Sequence, residues 1–558
     1  MKAIYLDIME KSLSAYTPER IRDYIDEVKG DDLREHGFPR LGSNIGILMA
    51  YGRRKDLMPV FIEIMDLCCE AMPRKRAAND FSVREVCCCL MLLEEKGLVS
   101  RELLNKWKTQ LTTFDPWTRY SRVEDNSGKF VGNWTMFAAV SEYMRGVYCG
   151  MDTGEFVDLQ LPSQLANLDE NDMYMDEPPY NNHAVYDLVP RVLMSFLLCA
   201  GYKGKYAARL EAVLDNTADM TLKMQSVTGE LAYGGRSNQF LNNEAMLIAY
   251  FEMEATRFAQ KGNGEMAGKL KAAAALAAET TQRYLALDPI SHVKNRYDLS
   301  TRIGCEDYGY FNKYMITVAS NVYMGLLFAD DSILPTTAPA EAGGYVISTS
   351  KRFHRTFLNC GGYFLQWDTD ADPHYDASGL GRVHKHGCPA ALCLSVPFAQ
   401  KPGYVLEGQN PSAMSLCCYA FDGGKKLLGA SEYAEYTLLS SQSDTQKASA
   451  VFEVKLSRDI TVTQTYTVSK DGVEITLSGY EDAGFCLPVF EFDGAEETRI
   501  DIGENEICVT YQNARCRYRF DGALDPEFKQ YYNRNGRYRV YQVAAKRLHI
   551  TMENEHEK

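Results

Sequence analysis

Apolar residues recur at three-to-four spacing through the first 335 residues, which is the period of a helix with one buried face. The clearest stretches are residues 58–72, 82–97, 133–150, 242–262 and 265–287. Glycine follows several of them, where a helix commonly ends. About eleven or twelve such stretches predict six antiparallel helix pairs closed into an (α/α)6-type toroid. A right-handed solenoid of helix pairs is the competing architecture, but the sequence has no fixed repeat length.

The period of the apolar positions changes to two after segment 334–344, which contains proline and glycine. On both sides of the turn residues Asp471 and Gly472, apolar and polar residues alternate, which is typical of a β-hairpin. Helices followed by strands indicate two packed domains. We predict a helical toroid over residues 1–335 and an antiparallel β-sandwich over 345–558, with a cleft where they meet.

Composition and charge narrow the classes of partner. The chain has 60 Lys and Arg against 75 Asp and Glu, a formal net charge of −15. Binding to nucleic acid or to a membrane surface usually needs a basic field, so neither partner is expected. An anionic substrate is compatible with this charge only through a locally basic pocket. The oligomeric state is left open, a homo-oligomer included.

The first residues and the cysteines indicate the compartment. Charges are spread through the N-terminal segment without an apolar stretch, so no secretory signal is visible. No apolar run approaches the roughly 18 residues of a membrane span. The 16 cysteines are partly adjacent and form no C-x-x-C pair, which favours reduced, buried thiols. We therefore expect a cytoplasmic location.

The most polar segment of the helical region, DMYMDEPPYNNHAVYD (172–187), leads directly into an apolar helix. Asn182 as a helix cap, with Asp176 near the positive helix end, is the structural explanation. It does not explain why His183 and Tyr186 lie three residues apart on one helical face. A neutral base, a phenol and amide donors are typical of proton abstraction beside a carboxylate. Asn182, His183 and Tyr186 are candidate catalytic residues, and Asp176 is a candidate substrate contact.

Two further loops carry related side chains. In YGGRSNQFLNNEA (233–245), two glycines permit a sharp turn, and Arg236 presents a planar fork that fits a carboxylate. A surface arginine before a helix capped by a residue such as Asn238 is the alternative. In RIGCEDYGYFNKYM (302–315), Tyr308 is either a base or proton donor, or aromatic packing under a loop. Arg236 and Tyr308 are candidate catalytic residues, and Asn238 is a candidate substrate contact.

Histidines cluster in the strand region, within QWDTDADPHYDASGLGRVHKHG (366–387). His384 and His386 alternate along a predicted strand, which places both on one face. Such a pair suits a zinc ion completed by His374 or an aspartate, a substrate contact, or an exposed polar edge. We take His384, His386 and Arg382 as candidate substrate contacts. A divalent metal in this domain is the alternative, and no cofactor is otherwise required.

Three residues elsewhere complete the candidate set. His36 lies in the polar stretch REHGFPRLGSN (34–44), and Asn133 and Trp134 begin a helix. An indole can stack on a sugar ring while a neighbouring amide bonds the hydroxyls, although a tryptophan is more often part of the core. All three are candidate substrate contacts.

An Asn-His pair that opens a toroid helix (NNHAVYD), followed by an antiparallel sandwich, resembles the alginate lyase and heparinase II/III-like polysaccharide lyases. With GGRSNQF, the polar segment is most similar to a branch of rhamnosyl-glucuronate lyases and toroid β-glucuronidase-like proteins. The resemblance covers nearly the whole chain and implies β-elimination on uronate-containing oligosaccharides or glycosides. It implies that Asn182 and Arg236 neutralise the substrate carboxylate, while His183 with Tyr186 or Tyr308 moves protons.

Two other classes of function stay open. A glycoside hydrolase on the same scaffold, of the β-glucuronidase kind, needs two carboxylates that flank the scissile bond. The chain offers several in the polar loops: Asp172, Asp176, Glu177, Glu306, Asp307 and Asp368. A non-catalytic sugar-binding protein is the third class, which loops so rich in Asn, His, Tyr and Arg disfavour.

Overall fold

The computed structural model describes residues 1–29, 33, 36–75, 78–127, 131–176, 184–372, 375, 377–392, 415–429 and 434–554. Four residues named above lie outside this part of the chain: Glu177, Asn182, His183 and His374. No helix within the described ranges is both long and apolar enough to cross a membrane. The helices are α1 Lys2–Ser12, α2 Pro18–Lys29, α3 Gly37–Ala50, α4 Met58–Ala71, α5 Asn79–Glu95, α6 Arg101–Thr112, α7 Pro116–Arg119, α8 Trp134–Cys149, α9 Gly154–Leu165, α10 Val185–Cys199, α11 Ala207–Met224, α12 Asn242–Gln260, α13 Gly264–Leu285, α14 Phe311–Phe328 and α15 Pro339–Ala342.

Six of these helices form a closed inner ring. They contact one another in the order α3, α5, α8, α10, α12 and α14, and α14 returns to contact α3. Each inner helix also packs against an outer one, in the pairs α3–α4, α5–α6, α8–α9, α10–α11, α12–α13 and α14–α1. The predicted (α/α)6 toroid is confirmed.

Burial separates the inner helices from the outer ones. In α12, every residue from 242 to 255 is buried, so burial extends all round this part of the helix. Its outer partner α13 instead presents a stripe of small residues that permits close approach: Ala267, Ala273, Ala274, Ala277 and Ala278. Charged groups inside the ring are paired, as Glu85 is with Arg40 and Arg84.

The C-terminal part of the chain is built from strands, and the first one begins at Tyr345. The strands are β1 Tyr345–Ser348, β2 Arg355–Cys360, β3 Tyr363–Asp368, β4 Gly379–Lys385, β5 Cys417–Asp422, β6 Lys425–Leu428, β7 Glu435–Ser443, β8 Lys447–Lys455, β9 Thr461–Ser469, β10 Gly472–Ser478, β11 Ala483–Phe492, β12 Arg499–Ile502, β13 Glu506–Tyr511, β14 Ala514–Phe520, β15 Ala523–Tyr532, β16 Arg537–Ala544 and β17 Arg547–Asn554. The hairpin expected around Asp471 and Gly472 is β9–β10.

The described strands form three antiparallel sheets. Their orders are β1-β2-β3-β4, β12-β13-β14-β17-β10-β9-β8-β7 and β15-β16-β11-β5-β6. A bridge between Leu380 and Leu416 joins the first sheet to the third. All three sheets share one hydrophobic core, to which Leu365, Val462 and Leu487 belong. The prediction of an antiparallel β domain after the helices is confirmed.

The four-stranded sheet is buried on both faces. Leu365 and Trp367 of β3 point into the sandwich core. Phe364, on the opposite face, packs with Met175 and Val227 of the helical domain. This second face also carries charged and amide side chains, which bond to the helical domain instead of water. Loops of the toroid therefore pack directly against this sheet.

Candidate active site

A cavity of about 450 Å³ lies among the inner-ring helices and the loops that join them. Seven of the residues singled out from the sequence line it: His36, Asn133, Trp134, Asp176, Tyr186, Arg236 and Tyr308. Other lining residues include Arg40, Phe81, Arg122, Ser237, Lys313 and Tyr314. Asn182 and His183 belong to the segment before α10 that lies outside the described residues.

The segment 234–237 brings Arg236 to the cavity by an unusual backbone path. Gly234 and Gly235 have φ angles of 133° and 74°, and Ser237 has a φ of 65°. The carboxylate of Glu306 accepts hydrogen bonds from the backbone N–H of Ser237 and, at 3.3 Å, from its hydroxyl. A left-handed non-glycine residue typically costs about 1–3 kcal/mol and persists only where its surroundings hold it. Glu306 supplies that hold.

Three hydroxyl groups meet beside Arg236. Tyr186 Oη lies 3.0 Å from Ser237 Oγ and 3.3 Å from Tyr308 Oη. Ser237 Oγ lies 2.6 Å from Tyr308 Oη. The Arg236 guanidinium carbon is 4.5 Å from the centroid of the Tyr186 ring, a cation–π contact. Because each hydroxyl can donate to one neighbour and accept from another, the cluster can pass a proton between the two tyrosines.

The phenol of Tyr186 is held in its protonated form. Burial raises the pKa of Tyr186 above its ordinary value, and this effect outweighs the opposing influence of the Arg236 charge. At neutral pH, Tyr186 is therefore a neutral hydroxyl. A group in this state suits a proton donor better than a base.

Asp176 supports the donors around it. Its two carboxylate oxygens accept hydrogen bonds from the Asn133 backbone N–H at 3.1 Å and from the Asn133 side-chain amide at 3.0 Å. Arg236 Nη2 lies 3.8 Å from the same carboxylate, whose side chain is 1% exposed. Asp176 therefore orients Asn133 and Arg236, and its negative charge is already engaged within the protein.

Positive charge dominates the described lining of the cavity. Among these residues, four cationic side chains accompany the single carboxylate of Asp176: Arg40, Arg122, Arg236 and Lys313. The chain as a whole carries a formal charge of −15. Although Arg40 is also paired with Glu85 behind the lining, the cationic side chains outnumber the carboxylate, so the cavity is basic relative to the chain as a whole, the feature that an acidic protein needs in order to bind an anion.

His36 is a neutral hydrogen-bond donor in this pocket. Its Nδ1 lies 3.2 Å from Arg40 Nη1, and a guanidinium can only donate, so Nδ1 accepts and the hydrogen is on Nε2. Burial lowers the pKa of His36 well below its ordinary value, and the charges of Arg40 and Lys313 lower it further. A neutral imidazole with its hydrogen on Nε2 is a hydrogen-bond donor, and the role of His36 as a substrate contact stays a prediction.

Trp134 provides part of the aromatic surface of the pocket. It is half-buried and contacts Phe81 edge-on, with ring centroids 4.8 Å apart. The guanidinium carbon of Arg122 lies 5.4 Å from the centroid of the Trp134 ring. An indole beside a cation offers both an apolar face and a charge to a sugar acid.

Asn238, the other residue predicted in the loop that carries Arg236, does not line the cavity. It is fully buried, and its side-chain amide donates to the Ala232 carbonyl at 3.1 Å. Asn238 closes the loop on itself, so the structure places it in a supporting position and not in the cavity lining.

The expectation that His384 and His386 share one strand face is wrong. β4 ends at Lys385, so His386 lies beyond the strand and is exposed. His384 faces the toroid and is 1% exposed, with its Nδ1 2.5 Å from Ser226 Oγ and 3.2 Å from Thr228 Oγ1. The alternation rule held for the strand, but it says nothing about where the strand ends or what covers it.

Arg382 is also buried in the interface between the domains, away from the cavity lining. Its Nη1 lies 3.1 Å from Glu230 Oε2. Its guanidinium carbon is 4.2 Å from the centroid of the Tyr233 ring. The position predicted as a substrate contact therefore joins the sheet to the loop that carries Arg236.

Among the described residues, no group of three or more His, Cys, Asp or Glu side chains is arranged to hold a metal ion. His374, the third histidine of the predicted set, lies outside those residues. The side-chain partners that His384 has within hydrogen-bond distance are hydroxyl groups of the helical domain.

Most of the carboxylates considered for hydrolysis are engaged elsewhere. Asp172 is paired with Arg209 on the outside of the toroid. Asp368 lies 2.6 Å from His354 Nδ1, and this buried pair was not predicted from the sequence. Asp307 is exposed. Of the described members of this set, only Asp176 lines the cavity.

The buried histidines predict how stability depends on pH. Burial lowers the pKa of His384 to about 3 and that of His292 to about 4, whereas an unfolded histidine titrates near 6.5. Below pH 6.5 the unfolded state binds the extra protons, so stability is lost as the pH falls, by up to about 1.4 kcal/mol per pH unit for each residue. We expect His384→Gln to show a smaller fall in Tm between pH 7 and pH 5 than the unmodified protein. Equal falls would contradict the assignment.

Comparisons with known proteins concern the fold. No protein-family model and no curated protein matches the sequence. Heparinase III is similar at 10% identity and a TM-score of 0.49, over 91% of this chain and 75% of that one. A mutant of the heparan sulfate lyase HepC from Pedobacter heparinus is similar at 10% identity and 0.48, over 92% and 76%. The chondroitin lyase ODV-E66, a baculovirus envelope protein, shares 9% identity at 0.22, over 76% of each chain.

These neighbours bear the names of polysaccharide lyases, the class to which the sequence motifs were compared. At such identities a likeness concerns the arrangement of the chain alone. The architecture itself rests on this protein's own closed helical ring and antiparallel sheets.

Proposed function

We propose that this protein is a carbon–oxygen lyase that cleaves uronate-containing, for example glucuronate-containing, oligosaccharides or glycosides by β-elimination, with the group on O4 of the uronate as the leaving group. The observation that carries the proposal is the convergence of Arg236 with the hydroxyls of Tyr186 and Tyr308 in one basic cavity. An anion-binding fork and two proton-carrying groups are what this reaction requires.

The chemistry assigns a role to each group. The C5 proton of a uronate is weakly acidic, and the ionised carboxylate beside it makes its removal harder. Arg236, with Asn182, pairs with that carboxylate and so stabilises the charge that develops when C5 loses its proton. The C4–O4 bond then breaks, a C4=C5 double bond forms, and the departing oxygen takes a proton.

Tyr186 is the proton donor in this scheme. Its raised pKa keeps it protonated, and the chain of hydroxyls through Ser237 and Tyr308 can replace the proton that it gives up. His183 is the base of the proposal, and Tyr308 is the alternative base. Trp134 and His36 bind the sugar ring and its hydroxyl groups.

The size of the cavity bears on the length of the substrate. A volume of about 450 Å³ is within the range of small-molecule sites and holds one or two sugar rings. The substrate is therefore a short anionic saccharide that enters by its end. Three predictions belong to this proposal: a cytoplasmic location, an anionic sugar as the partner and a reaction without a bound cofactor.

A glycoside hydrolase is the second candidate, because Asp176 lines the cavity and Glu306 lies directly behind Ser237. It has less support, since both carboxylates already hold neighbouring groups of the protein. Hydrolysis would need one of them to act as an acid and the other to activate water or attack the sugar.

The two reactions differ in their product, which gives the test. The protein is incubated with oligosaccharides in which a uronate carries a sugar on O4, and separately with aryl glucuronides that have a free 4-hydroxyl group, while ultraviolet absorbance and released sugar are recorded. We expect a rising signal from a 4,5-unsaturated uronate with the O4-substituted substrates alone. Release of sugar without that signal would establish hydrolysis and move the search to Asp176 and Glu306. No turnover of any uronate would overturn the proposal.

A further inference from the structure

The loop that carries Arg236 is anchored to the β domain at Tyr233. Gln366 of β3 bonds both backbone groups of Tyr233: its Oε1 accepts from the Tyr233 N–H at 2.8 Å, and its Nε2 donates to the Tyr233 carbonyl. The Tyr233 ring has the guanidinium carbons of Arg382 and Arg534 at 4.2 and 4.6 Å from its centroid. Tyr233 itself is 1% exposed, so this attachment of the loop to the β domain is buried.

The next residue is in contact with the same sheet. A Cβ atom added to Gly234 would lie 2.1 Å from Nη2 of Arg355, so the backbone passes directly over this guanidinium. Arg355 is 2% exposed and is paired with Asp368, which lies opposite it on β3. Glycine is required here both by this contact and by its φ of 133°.

We propose that Gln366 and Arg355 are positioning residues for the active site: neither is among the described residues that line the cavity, and together they set the place of the Arg236 guanidinium. The inference rests on the proposed function for its catalytic consequence. Its structural part, that the β domain holds the loop in register, stands on the contacts alone.

The short stretch of chain between Tyr233 and Arg236 means that a shift at Tyr233 is passed on to the guanidinium. Arg236 lies three residues beyond Tyr233, a span of at most about 10 Å of extended chain. A fork that pairs with a carboxylate works within a few tenths of an ångström, and a misplacement of about 1 Å can lower the rate about 100-fold. Loss of the two bonds from Gln366 would free the loop at the end opposite to Glu306, which holds Ser237.

The test compares two buried glutamines of the β domain. Gln366→Ala removes the anchor of the loop. Gln464→Ala is the matched control, because Gln464 is buried like Gln366 (1% against 4% exposed), lies in β9 and accepts a hydrogen bond from Tyr466 at 2.6 Å within the sandwich core. Hydrogen–deuterium exchange of a peptide that covers residues 234–241 measures how firmly the loop is held. Turnover of the best uronate substrate measures the catalytic consequence.

We expect Gln366→Ala, and not Gln464→Ala, to speed exchange in residues 234–241 and to lower kcat/KM about 10- to 100-fold. Equal exchange in the two variants, or faster exchange with unchanged turnover, would overturn the inference. If Gln366→Ala does not fold, Gln366→Glu replaces it, because the carboxylate keeps the acceptor for Tyr233 and loses the donor. If the unmodified protein turns over no uronate, the proposed function fails, and the exchange comparison still decides whether the sheet holds the loop.

Discussion

Replacing Tyr186 with phenylalanine is expected to lower kcat by about 100- to 10,000-fold, the range typical for loss of a general acid or base. The ring would stay in place under the Arg236 guanidinium, so the cation–π contact and the fold are retained. KM is expected to change little, because the phenol acts mainly on the departing oxygen. Initial rates measured by the absorbance of the unsaturated product check this result.

The reason lies in the protonation state of the phenol. Burial raises the pKa of Tyr186, so the residue carries its proton across the range in which most enzymes work. A donor of this kind stabilises the negative charge that develops on the leaving oxygen. Phenylalanine fills the same space and can supply no proton.

Two comparison variants make the result specific. Tyr143→Phe removes a half-buried hydroxyl of the helical domain that bonds the Ala200 carbonyl at 3.3 Å outside the cavity, and it should leave kcat unchanged. Tyr308→Phe removes the other phenol of the cluster. If Tyr308→Phe abolishes turnover and Tyr186→Phe does not, the two assignments are exchanged. If both retain full activity, the hydroxyl cluster has no catalytic part.

The architecture could be predicted because each of its signals is local. Stretch 265–287, for example, is α13 with the bounds Gly264–Leu285, and the change of period after residue 344 is the start of β1. Helical periodicity and turn chemistry reflect interactions between residues that are close in the sequence. The prediction that six helix pairs close into a ring rested only on the number of helical stretches.

The loops of the site could also be found from the sequence, because polar clusters between apolar helices stand out. What the sequence does not give is which loops meet. Arg122 and Lys313 line the same cavity although 191 positions separate them in the numbering, and neither has a local pattern that marks it. Arg40 had a usable signal, since it is the only charged residue in helix α3, which is mostly apolar.

The residues predicted in the β domain show where a local sequence pattern fails. Alternation correctly indicated a strand through His384, but a strand with one polar face is normally exposed on that face. Here the helical domain covers it, so Arg382 and His384 became interface residues. Burial between two domains depends on tertiary contacts that no local period reports.

Replacing Arg236 with alanine is expected to lower kcat/KM for a uronate substrate by about 30- to 1,000-fold, which corresponds to the roughly 2–4 kcal/mol lost when one partner of a charge-assisted pair is removed. The guanidinium has a second function that adds to this loss, because its charge opposes the rise in the pKa of Tyr186. Arg236→Lys should be intermediate, since an ammonium keeps the charge and loses the planar fork.

The substrate provides the sharpest control for this prediction. With the methyl ester of the same uronate, which has no negative charge to pair, Arg236→Ala should lose much less activity than it loses with the free acid. Arg209→Ala, which breaks the ion pair with Asp172 on the outside of the toroid, should affect neither substrate. Equal losses on acid and ester would show that Arg236 supports the loop without reading the carboxylate. Selective loss on the acid would tie the basic cavity to the anionic group of the sugar, because only that group differs between the two substrates.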